Sequence, residues 1–131
     1  MNQTGTYVNI MRESLERKRK YLTEILKLTN EQSVIAAAEK FDEERFSEIV
    51  EKKDVLIDNI NEIDKGFSSV YDRVRIEIQQ NPSAYRDKLL AIQELIRACV
   101  DLGVQIEAVE ERNRATMAVS YTHLTLPTTP Y

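Results

Sequence analysis

FSEIVEKKDVLIDNINEIDKGFSSVYDRV, residues 46–74, decides the fold. Phe46, Ile49, Lys53, Leu56, Ile60, Ile63, Phe67, Val70 and Val74 recur at alternating spacings of three and four, and of these only Lys53 is charged. Val50, Ile57 and Tyr71 widen the stripe on one side. This is the core face of a long amphipathic helix, and it is broader than a two-stranded seam requires. Partner helices are therefore expected on more than one side of it.

The flanks of this helix carry start and stop signals. Asp42 is placed as an N-cap, with Phe41 before it and Phe46 at the fourth helical position, the pattern of a hydrophobic staple. Glu43 and Glu44 favour the positive end of the helix dipole. The helix is expected to run to about residue 80, where Asn81-Pro82-Ser83 ends it, since proline cannot continue a helix interior and disfavours helical backbone in the residue before it. Gly66 sits inside the helix, read either as a point of close helix contact or as a tolerated exposed glycine.

Upstream, Val8, Met11, Leu15, Leu22, Ile25 and Leu26 predict a first helix over about residues 6–39. Lys18 interrupts this stripe, and Thr29 and Gln32 continue it in polar form, so looser packing or a break is expected beyond Thr29. Downstream, Tyr85, Leu89, Ile92, Ile96, Cys99 and Ile106 predict a third helix from about residue 83, with Leu95, Leu102 and Val109 as a second row seven residues apart. Gly103 takes a core-like position, and Glu110-Glu111-Arg112-Asn113-Arg114 reads as polar on all faces, with both adjacent carboxylates solvated. The fold class is thus all-α: three long helices in an antiparallel bundle or coiled-coil-like hairpin, over one domain of residues 1–118.

Composition agrees with this. The 131-residue chain is 31% charged and 42% hydrophobic, with three Gly and three Pro, so long helices meet few breakers. A net charge of -4 argues against nucleic acid as a partner. The lone Cys99 cannot form an internal disulfide, no secretory signal is visible, and no apolar run spans a bilayer, which together predict a cytoplasmic protein that is not embedded in a membrane. The run Arg17-Lys18-Arg19-Lys20 reads as a solvated helix face offset by Glu13, Glu16 and Glu24, or as a patch for an anionic partner.

Catalysis finds no equipment here. The only His, His123, and the only Cys, Cys99, supply no Cys/His metal site, the glycines are isolated, and no nucleophile has a base beside it. The expectation is a non-enzyme without cofactors. Residues 119–131 contain no Asp, Glu, Lys or Arg, and Val119-Ser120-Tyr121-Thr122-His123-Leu124-Thr125-Leu126-Pro127-Thr128 resembles a translated sequencing-library adapter. The segment is expected to be a non-native, unstructured tail that stands in place of the natural C-terminus.

Local sequence narrows the fold class to a family. Lys53-Asp54-Val55-Leu56-Ile57-Asp58-Asn59-Ile60, then Asp64-Lys65-Gly66-Phe67 and Tyr71-Asp72-Arg73-Val74, resembles the central helix of FlgN-type flagellar export chaperones of clostridial Gram-positive bacteria. Leu90-Ala91-Ile92-Gln93-Glu94-Leu95-Ile96, Ile106-Glu107 and Glu111-Arg112-Asn113 extend the likeness, which covers residues 7–117. The resemblance implies a cytoplasmic chaperone of the flagellar type III secretion system. Such a protein binds hook-filament junction proteins through their disordered terminal segments, prevents premature assembly and presents them to the export gate. An amphipathic client segment is expected to lay its apolar face in a groove between long helices. Within that reading Leu95, Leu102 and Val109 are the expected client-binding row, set against their packing on the first helix. The alternative is a coiled-coil scaffold that self-associates into a homo-oligomer through the same stripes.

Overall fold

A computed structural model describes residues 3–120 of the chain. Three helices account for nearly all of them: α1 (Gln3–Ala37), α2 (Glu43–Gln80) and α3 (Arg86–Ser120), with a single 3₁₀ turn, Pro82–Tyr85, between the last two. At 1.5 Å per residue each helix is roughly 50–57 Å long. None of these helices is long and apolar enough to cross a membrane. The expected tail lies mostly outside the described residues. α3 as described includes Val119 and Ser120, the first two residues of that segment.

The punctuation follows the chemistry of the caps. The Asp42 carboxylate accepts a hydrogen bond from the Arg45 backbone N–H at 3.0 Å, satisfying a donor that the first turn leaves open. Phe41 and Phe46 pack with tilted rings at 5.4 Å between centroids, closing the staple. At the other end the Asn81 N–H donates to the Glu77 carbonyl at 3.0 Å, and Pro82 opens the 3₁₀ turn that reverses the chain.

α1 is the central helix. It packs along its length against both α2 and α3, whose backbones approach α1 far more than each other. α2 runs antiparallel to its neighbours, and α1 and α3 run parallel. Two apolar layers form the core. One joins Val8, Met11 and Leu15 with Val74, Ile78, Tyr85 and Ile92. The other joins Leu22 and Ile25 with Ile57, Ile60, Cys99 and Ile106. The three-helix bundle of the sequence reading is therefore present, with α1 between two flanking helices.

Three local expectations are corrected. α1 does not break beyond Thr29: it continues to Ala37, with Thr29, Gln32 and Ala36 buried. Glu110 is not solvated and Asn113 is not on an exposed end; both are buried. The cause is shared, because these polar groups bond to one another across helices and so lose little by leaving water. Gly103 borders an open groove, where an added Cβ would meet nothing within 4 Å.

Candidate functional site

A buried polar layer spans the three helices and shapes the space beside it. Lys53, the charged member of the apolar frame, is 2% exposed. Its Nζ donates to Gln32 Oε1 of α1 at 2.9 Å and to Glu110 Oε1 of α3 at 2.5 Å. One ammonium thus ties all three helices. Burial pushes the Lys53 amine below its ordinary range, and the bond and charge of Glu110 oppose that shift. One turn further along α3, Asn113 Nδ2 donates to the Thr29 carbonyl at 3.2 Å and Ser33 Oγ donates to Asn113 Oδ1 at 2.6 Å. Thr29 Oγ1 donates to the Ile25 carbonyl at 2.7 Å. Among the described residues no buried side-chain nitrogen or oxygen lacks a partner.

Next to this layer α2 and α3 part. A groove of about 330 Å³ opens between them, with Leu15, Lys18 and Leu22 of α1 as its floor. Ile57, Ile60, Asn61 and Asp64 form the α2 wall. Ile96, Cys99, Val100, Gly103, Val104 and Glu107 form the α3 wall. Ile96 is 40% exposed, Val100 58% and Val104 61%, an apolar row at steps of four residues that none of the described helices covers. Lys18 donates to Asp64 Oδ1 at 2.8 Å across the floor, so the lysine that interrupts the α1 stripe bridges two helices there.

Side-chain reach explains the difference. Lysine and glutamate are long enough to meet across the gap between the flanking helices, and they close it. Valine and glycine are too short to do so, and the gap stays open. The groove offers apolar contact with a few polar groups at its edges, which suits burial of an apolar side-chain row. Cys99 does not change this. Its Sγ lies 3.9 Å from the Leu15 carbonyl, and burial pushes the thiol up, away from the reactive thiolate, against a weaker opposing pull from Lys18 and Arg19.

The row singled out from sequence occupies the other flank of α3. Val109 is buried. Leu95 and Leu102 are half-buried, packed against the first and second apolar layers respectively. Leu95 also borders a shallow depression with Glu16, Arg19, Lys20, Thr23 and Glu24 of α1. The exposed row of α3 is instead Ile96, Val100 and Val104. Its signal was present in the sequence, since two valines extend Ile96 at four-residue steps on the side away from Leu95. No protein-family model, curated protein or solved structure matches the chain.

Proposed function

We propose that the chain is a cytoplasmic export chaperone of FlgN type, which holds a terminal segment of a hook-filament junction protein before secretion and presents it to the export gate. The observation that carries this reading is the uncovered apolar row Ile96, Val100 and Val104 in a bundle whose buried polar groups are otherwise satisfied. Exposed apolar surface of this kind, rimmed by polar residues, marks an interaction site. An amphipathic segment laid into the groove would remove it from water.

A few of the residues that carry the family resemblance support the reading, because they lie at the groove. Ile57 and Ile60 form its α2 wall, Asp64 holds Lys18 on its floor, and Lys53 closes its end. Ordering a disordered client consumes part of the interaction free energy, which keeps affinity moderate and release feasible.

The test is fluorescence anisotropy of the full chain with labelled C-terminal segments of hook-filament junction proteins. Saturable binding is expected, with loss in Val100→Asp and Val104→Asp, both exposed positions whose substitution spares the core. Absence of binding to every such segment would overturn the proposal. If the chain then assembles with itself as its concentration rises, the self-associating scaffold takes its place.

A further inference from the structure

The two ends of the groove differ in charge. Asp54 and Asp58 precede the groove residue Asn61 by seven and three positions, so the three share one side of α2. Glu111 stands one turn beyond the groove residue Glu107 on α3. All four carboxylates are exposed, next to the Lys53–Glu110 contact that closes this end. Arg114 bonds Glu111 at 2.6 Å, and Lys53 is engaged inside the bundle, so the end remains acidic on balance. Toward the opposite end the exposed charges are mixed: Lys65 pairs with Glu62 at 3.5 Å on α2, Asp64 pairs with Lys18 at 2.8 Å, and Arg97 stands one turn before Asp101 on α3. The Lys53–Glu110 contact sets the antiparallel register, which brings Lys65 level with Ala98, so the balanced charges of this end stand at like heights on the two walls and only the first end is acidic.

Resting on the chaperone reading above, we infer that the groove takes its partner segment as an amphipathic helix in one direction: parallel to α2, with basic residues in its first turns beside Asp54, Asp58, Glu107 and Glu111. Three observations converge on this. The row from Ile96 to Val104 extends about 12 Å, the length over which a helix presents apolar anchors at i, i+4 and i+8. The acidic end complements Lys or Arg side chains there and repels a helix inserted the other way round. The N-terminus of the incoming helix carries the positive end of its own dipole, which favours the same direction.

The experiment uses two labelled synthetic helical peptides with identical Leu anchors at i, i+4 and i+8. One carries Lys in its first two turns and Glu in its last two; the other has these reversed. With the full chain at low salt, the basic-first peptide is expected to bind about five- to tenfold tighter. That preference is expected to shrink at 0.5 M salt and to vanish in Asp58→Asn combined with Glu107→Gln, two exposed positions at which the fold is checked by circular dichroism. Equal affinity for the two peptides at low salt would overturn the inference, as would a preference that survives neutralisation of the carboxylates. Failure of both peptides would also overturn it, while binding of junction-protein segments would keep the chaperone reading standing. Directional peptide binding without any binding of junction segments would uphold the charge-oriented groove and overturn the family assignment.

Discussion

Two regions lie between the same pair of helices and invert the usual distribution of polarity. At Lys53 and Glu110, charged side chains are buried and join α2 to α3. Two to four turns away, Ile96, Val100 and Val104 are apolar and stand in the open. The contrast teaches that closure here follows side-chain length and satisfied bonding more than hydrophobicity. An apolar pair too short to meet leaves a groove, whereas a long ion pair with Gln32 as a third partner makes a sealed layer.

The sealed layer should be the more fragile of the two to a single change. Glu110→Ala leaves the Lys53 ammonium buried with Gln32 and without its counter-charge, and a loss of about 3–5 kcal/mol is expected in urea unfolding. Lys53→Met combined with Glu110→Leu removes both charges and should return stability to the wild-type level or above it. A double variant as unstable as the single one would break the view that the ion pair is costly to bury and serves chiefly to hold the helices in register.

The apolar side of the comparison is sharpened by two truncations on one helix. Ile106→Ala removes a fully buried side chain and should cost about 2–5 kcal/mol. Val100→Ala, on the groove wall, should change stability by no more than about 0.5 kcal/mol. Comparable losses at the two positions would mean that the groove wall is packed. An effect between these two is expected at Gly103. Gly103→Ala should stabilise the helix by about 1 kcal/mol, since a Cβ meets nothing there, while narrowing the groove and weakening any bound segment. Thermal unfolding and peptide affinity measured on one sample would show the two effects with opposite sign.

The smallest effect is a pH dependence. Lys53 titrates below 10.5 in the folded state, so between its lowered value and 10.5 the unfolded chain binds more protons than the folded one. Stability contributed by this group therefore rises with pH across that window, and its burial penalty is fully present below it. Chemical unfolding followed over alkaline pH should show that component, and Lys53→Met should lack it.

Much of the helical layout was legible in the sequence because its signals are local. The Asp42 cap, the Phe41–Phe46 staple and the Asn81-Pro82 stop each act within a few residues, and each is found in the structure. The polar layer was not legible, because its partners lie far apart along the chain. Lys53 reads as a fault in an apolar frame until Gln32, 21 residues away, and Glu110, 57 residues away, are seen beside it. Glu110 and Asn113 likewise look like parts of a solvated run when only their neighbours in sequence are considered. For the groove, seven-residue spacing points to Leu95, Leu102 and Val109. A four-residue step drifts around the helix, and it carries Ile96, Val100 and Val104 from the edge of the seam to the open side. Periodicity reveals that α3 has more apolar positions than one seam uses, but not which of them the neighbouring helix fails to reach.

The central claim is that α2 and α3 are closed at Lys53–Glu110 and open at Val100 and Val104. It is tested most directly by methyl NMR of the free chain with a soluble gadolinium chelate. The account predicts strong broadening of the Val100 and Val104 methyl signals while those of Ile106 and Ile49 stay sharp. Equal protection of Val100, Val104 and Ile106 would mean that the flanking helices meet along this whole stretch, and it would contradict the account.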